Sequence, residues 1–203
     1  MDSVGWANGP ARDEAGTPNV VGAVALAAAI QALQRIGMDT VARHEAELTG
    51  YALQRLGQVD GLRIYGDPDP RSAPYRLGVI PFNLGDMSHA LVAAVLGTEH
   101  GIGVRNGCFC AHPYLARLLG LTQRETLQLR SEIAGHDRRR MPGLVRVSFG
   151  MYSSIDDVDR LIDALTRISG GDYCGEYLQD RPSGEYLAQG WSPDLAAYFK
   201  LGP

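Results

Sequence analysis

Gly101-Ile102-Gly103-Val104-Arg105-Asn106-Gly107-Cys108-Phe109-Cys110-Ala111-His112-Pro113 places an arginine, two cysteines and a histidine in one glycine-bracketed run near the middle of a 203-residue chain. Cysteine reacts as its thiolate, and neighbouring cations lower the pKa that governs how much thiolate is present. Glycines permit the sharp turns and close approach that a ligand-facing loop requires. Cys110 is therefore the candidate nucleophile, with Arg105 and His112 as cationic neighbours. The competing reading is a buried structural thiol, since free cysteine is commonly buried. Cys108, Cys110 and His112 also read as a soft-metal triplet, but zinc normally takes a fourth ligand and wider spacings. The remaining cysteine, Cys174, stands in the tail, and no metal is assigned.

Working outward, the flanking segments alternate between helical and strand patterns. Asn19 is placed to cap a helix over Val20 to Ile36 that Gly37 ends, and Asp39 to cap a second over Thr40 to Leu56. Leu62 to Tyr65 and Arg76 to Leu84 read as strands, with Pro81 pointing to an edge or a bulge. Ser88 caps a helix that stops near Gly101, and Ile102 to Arg105 is a short strand leading into the cysteine loop. Pro113 opens another helix. Thr122 to Met141 reads as a loop or an exposed helix. Leu144 to Phe149 alternates as a strand, and Ser154 with Asp157 forms a capping box before an amphipathic helix through Ile168. Glu176-Tyr177-Leu178 recurs as Glu185-Tyr186-Leu187 around Arg181-Pro182-Ser183-Gly184, the pattern of a hairpin. The predicted class is α+β, with helices over a short, mostly antiparallel sheet and a hairpin-like C-terminal extension. Residues 1–18 form an irregular entry segment, 19–170 the folded body and 171–203 an aromatic, Gly/Pro-rich tail.

A net charge of −4 argues against nucleic acid or an anionic membrane as partner. The basic run Arg138-Arg139-Arg140 is short enough to be a solvated loop. Val20 to Ile30, the longest apolar stretch, falls short of the roughly 20 residues that span a bilayer. The N-terminus shows no export pattern, and three cysteines do not make a disulfide framework, so a reduced, cytoplasmic setting is expected.

Two further features carry chemistry. Arg146 lies within a strand, on the face opposite Val145 and Val147. An arginine there either grips an anion, a carboxylate being its natural bidentate partner, or makes a structural ion pair. Glu14-Ala15-Gly16-Thr17-Pro18-Asn19 precedes a helix and offers a hydroxyl and backbone amides to a phosphate, though it is also ordinary capping grammar. His44, His89, His100 and His136 read as packing or surface histidines.

Together these elements resemble the C-terminal portion of class V, fold-type-I pyridoxal-phosphate enzymes, the group of cysteine desulfurases and selenocysteine lyases. The likeness runs from about Glu14 to Ile168 and is strongest at Gly101 to Pro113, which is similar to the family's Gly-Ile-x-Val-Arg-x-Gly-x-x-Cys-Ala-x-Pro segment. The resemblance implies that Cys110 is the persulfide-forming cysteine and that Arg146 anchors the α-carboxylate of an amino-acid substrate. It implies that Arg105 shapes the substrate site and that Thr17 reaches the cofactor phosphate across a homodimer. Phe109 departs from the histidine or glutamine common before the cysteine, and Cys108 is an extra thiol. Transaminase-like, lyase or epimerase chemistry stays open. The resemblance also implies pyridoxal 5'-phosphate bound to a lysine of a preceding large domain, whereas the single lysine here, Lys200, stands in the tail. The expectation is a small domain that is inactive alone, binds no cofactor covalently, and pairs with a second copy or with a lysine-bearing large domain.

Overall fold

The computed structural model describes residues 5–14 and 16–190; Lys200 and the last part of the tail lie outside them. The chain divides into two units, Met1–Arg43 and His44–Pro203. In the first unit, helix α1 (Val20–Ile36) is capped by Asn19, whose side chain accepts from the Gly22 amide at 2.9 Å. Gly37 closes it at φ 90°, a left-handed geometry that favours glycine. No residue of α1 is buried, although it carries Val20, Val21, Val24, Leu26 and Ile30. Helix α2 (Met38–Leu56) starts directly after Gly37, so Asp39 lies in its first turn rather than at the expected cap. From His44 onward α2 belongs to the second unit.

The second unit is built on a four-stranded antiparallel sheet of order β1-β2-β4-β3: β1 (Leu62–Ile64), β2 (Val79–Leu84), β3 (Arg105–Gly107) and β4 (Leu144–Ser148). On β2 the alternation is strict, with Ile80, Phe82 and Leu84 all buried on one face. They meet Val145 and Val147 of β4 under the second half of α2, helix α3 (His89–His100) and helix α6 (Ile155–Ser169). Helix α6 starts at the anticipated capping box: Ser154 Oγ accepts from the Asp157 amide, and Asp157 accepts from the Ser154 amide at 2.9 Å. Its Val158, Leu161, Ile162, Leu165 and Ile168 then enter the core. Each such burial contributes on the order of 1.5–3 kcal/mol before entropy is counted.

Pro81 corrects one expectation, because β2 is an inner strand with neighbours on both sides. The missing N–H is tolerated because Pro81 turns that side of its backbone toward the end of β1. Its carbonyl accepts from the Tyr65 amide at 2.9 Å, one residue past the last β1 position. The strand before the cysteine loop is Arg105–Gly107 rather than Ile102–Arg105. Gly101, at φ 65°, ends α3 as anticipated. The polar stretch after residue 122 contains helix α5 (Gln123–Ala134), held by a Thr122–Glu125 capping box and burying no residue. The tail forms a hairpin, β5 (Tyr177–Gln179) with β6 (Tyr186–Ala188), so that Leu178 of one Glu-Tyr-Leu faces Leu187 of the other.

Glu99, at the end of α3, fastens that hairpin. Its carboxylate accepts from the Cys174 and Gly175 amides and from the Tyr177 hydroxyl, each at 2.9 Å. The Glu185 carboxylate accepts from the Asn106 side chain of β3 at 3.1 Å.

Candidate functional site

The site lies on the sheet face away from the main core. Cross-strand partners point to the same side of a sheet, so Tyr65, Pro81, Arg146 and Arg105 form one row across it. A second apolar cluster of Tyr65, Cys108, Leu115 and Leu144 packs on this face. Leu115 comes from helix α4 (His112–Leu118), which Pro113 helps to start. An open cleft of about 370 Å³ remains between them, lined by Tyr65, Arg76, Phe109, Tyr114 and Arg146 among others.

Arg146 is where strand alternation puts it, half-buried on the cleft face. Among the described residues the ion pairs are made by Arg55, Arg71, Arg139, Arg140, Arg167 and Arg181, not by Arg146. Its Nε is buried with no hydrogen-bond partner. A buried, unpaired donor on a cation is costly, and an incoming carboxylate removes that cost. The guanidinium carbon lies 4.8 Å from the centre of the Phe109 ring. Arg105 is exposed and stands opposite Arg146 across the β3–β4 pair. Arg76 adds a third positive charge to the cleft wall; its guanidinium donates to the Asp67 and Val79 carbonyls.

The two thiols of the loop face different surroundings. Cys108 is buried and its S–H donates to the Pro142 carbonyl at 3.0 Å. Burial pushes its pKa up, which keeps it a thiol. Cys110 is exposed. It sits with Phe109 in a turn where both residues have left-handed backbone, φ 53° for Phe109 and 60° for Cys110, closed by the Ala111 amide donating to the Cys108 carbonyl at 2.9 Å. The structural-thiol reading thus applies to Cys108, and Cys110 is the accessible one. His89 helps to hold the segment beneath them. Its Nε2 lies 3.0 Å from the Met141 carbonyl, which can only accept, so that nitrogen carries the proton. Burial holds the His89 pKa down.

Arg105, Arg146 and the Cys110 turn are therefore adjacent on one face. Thr17 belongs to the first unit, where it is exposed two residues before the α1 cap. The Val20 and Gly22 amides there are already taken by the Pro18 carbonyl and the Asn19 side chain. Phe109 and Arg76 escaped the sequence reading. In the sequence Phe109 is only a departure from pattern, and nothing in one sequence reveals that Arg76 lines the same cleft as Arg146.

A sequence profile of the aminotransferase class-V family matches residues 1–161. A probable cysteine desulfurase of Staphylococcus aureus (strain COL) is 38% identical over 160 residues, covering 79% of this chain and 32% of that protein. One from Staphylococcus epidermidis is 38% identical over the same share. Among solved structures, the apo cysteine desulfurase of Thermococcus onnurineus NA1 superposes with a TM-score of 0.64 at 30% identity, over 84% of this chain and 36% of that one. The cysteine desulfurase CsdA of Escherichia coli, in its S-sulfonic acid form, gives a TM-score of 0.60 at 25% identity, over 83% and 35%. The fold is the small α+β domain of fold-type-I pyridoxal-phosphate enzymes. The chain belongs to the aminotransferase class-V family and spans about a third of the length of the curated relatives it matches.

Proposed function

We propose that this chain forms the small-domain part of a pyridoxal-phosphate enzyme that removes sulfur from an amino acid, with Arg146 anchoring the substrate carboxylate and Cys110 accepting the sulfur. The observation that carries this reading is the buried, unpartnered Nε of Arg146 beside a turn that presents an exposed thiol. Arg105 adds positive charge at the anchor. Thr17 offers its hydroxyl to the cofactor phosphate of a dimer partner. Bound pyridoxal phosphate supplies an electron sink at the substrate's α-carbon. The described residues include no lysine, so they offer the cofactor no Schiff-base partner. The Cys110 thiolate attacks the sulfur of a bound cysteine; an S–S bond forms as the substrate C–S bond breaks, the electron pair of that bond stays on the substrate carbon, and a proton taken up there gives alanine and leaves Cys110 as the persulfide. The 203-residue chain alone is then inactive, and its setting is the reducing cytoplasm.

Persulfide mapping tests this. The protein that contains this chain, in the form its cells make, is incubated with pyridoxal phosphate and L-cysteine, then alkylated and analysed by peptide mass spectrometry. A one-sulfur increment is expected on the Cys110 peptide and lost in C110S, while the isolated chain gives neither persulfide nor a borohydride-trapped adduct. Alanine production with sulfur on Cys108 or Cys174 instead would reject the assignment, and a trapped adduct on the isolated chain would reject its inactivity.

A second reading has this chain as a non-catalytic domain that pairs with a separately encoded large domain or a homologue. It is favoured by the exposed apolar residues of α1, Val21 at 81% exposure and Val24 at 65% among them. Co-purification of a lysine-bearing partner, with wild-type activity in C110S, would select this reading over the first.

A further inference from the structure

We propose that Phe109 is a positioning residue that clamps the Cys110 turn onto the carboxylate anchor by stacking on Arg146; this rests on the reading of Cys110 and Arg146 given above. Two consecutive non-glycine residues in the left-handed region, Phe109 and Cys110, form an unfavourable turn. Such a conformation costs on the order of 1–2 kcal/mol per residue and persists only where neighbouring contacts compensate it. The contacts here are few. The Ala111 amide closes the turn on the Cys108 carbonyl, Cys108 is tied to Pro142, and the Phe109 ring packs against the cluster of Tyr65, Leu115 and Leu144. The remaining contact is the ring on the Arg146 guanidinium at 4.8 Å, inside the range of a cation–π interaction.

This stack is compatible with substrate binding because a guanidinium offers two kinds of surface. Its face takes the aromatic ring, while its N–H donors point outward along the edge and take a carboxylate. The buried Nε without a partner is one of those edge donors. One arginine can thus hold the loop by its face and the amino acid by its edge, which fixes the distance between the attacking thiol and the substrate.

The Ala111 amide reports on the turn directly, since its hydrogen bond breaks when the turn opens. In the full 203-residue chain, amide hydrogen exchange at Ala111 is measured by NMR for wild type, F109L, R146M, the double variant and F109W. F109L and R146M are each expected to speed exchange by roughly two- to five-fold, the size of a partly exposed cation–π contact. The double variant should be no faster than either single one, and F109W should match wild type. The Gly85 amide, bonded to Gly61 at the far end of the sheet, serves as the folding control and should not change. Additive effects, or acceleration in F109L but not in R146M, would mean ordinary apolar packing and overturn the clamp. An intact clamp without persulfide on Cys110 would instead reject the functional reading on which it rests.

Discussion

Arg105 and Arg146 stand directly opposite each other on β3 and β4, two like charges on one face of a sheet. Such pairs destabilise a sheet by a few tenths of a kcal/mol to about 1 kcal/mol, and an anion between them reverses the sign. Accordingly R105Q should raise the melting temperature slightly at low salt, with a gain of about 0.2–1 kcal/mol that shrinks as salt screens the pair. The same variant should bind small carboxylates more weakly. Thermal unfolding at two ionic strengths, with and without added carboxylate, checks both halves.

Cys108 and Cys110 should separate under alkylation. At neutral pH, iodoacetamide is expected to modify Cys110 and Cys174, which are exposed, and to spare Cys108. C108A should cost about 1–2 kcal/mol through lost packing and the lost bond to Pro142, while leaving the Cys110 labelling rate unchanged. Peptide mass spectrometry and denaturant unfolding measure the two effects.

Gly143 precedes β4 in the tightest spot near the site. An added Cβ would lie 2.4 Å from His89 Nε2 and 2.7 Å from the Gly107 Cα. The second neighbour is backbone of β3 and cannot swing aside. G143A should therefore destabilise the domain by about 1–3 kcal/mol and loosen the β3–β4 pairing that aligns the two arginines. A melt, together with hydrogen exchange across β3, tests this.

The Glu99 latch carries a pH signature. Burial alone would raise its pKa, but bonds from the Cys174 and Gly175 amides and the Tyr177 hydroxyl outweigh that and leave it lowered. A lowered folded pKa gives stability that is fully present above the unfolded value of about 4.3 and is lost as pH falls through the folded one. Tyr177 goes the other way. Burial first, then its bond to Glu99, raises its pKa to about 12. Its contribution holds below about pH 10 and disappears as pH rises through about 12. Protection of the Cys174 and Gly175 amides, taken relative to the unstructured exchange rate at each pH, should fall at both extremes, and E99Q should remove the acid limb.

The sequence carried the element order because local chemistry specified it: the Asn19, Ser88 and Ser154 caps, the alternation in β2 and β4, and the repeated Glu-Tyr-Leu each have short-range causes. Arg146 could be assigned to a face by counting from Val145. What stayed hidden depended on distant segments. The place of β2 inside the sheet follows from which strands flank it, and Pro81 by itself points to an edge or a bulge. The contact of Phe109 with Arg146 joins residues 37 positions apart and has no periodic signal. The difference between Cys108 and Cys110 is one of burial, and that is set by Leu115 and Pro142 rather than by the loop's own residues.

Pro81 has a consequence beyond the tolerated gap in the ladder. Lacking an N–H, it gives Tyr65 no donor in return, and β1 ends at Ile64. Tyr65, Gly66 and Pro81 border the cleft that contains Arg146. The ladder therefore stops where the cleft begins, and that stop follows from the covalent structure of one imino acid. Pro81→Ala restores the donor opposite Tyr65 and removes that covalent stop.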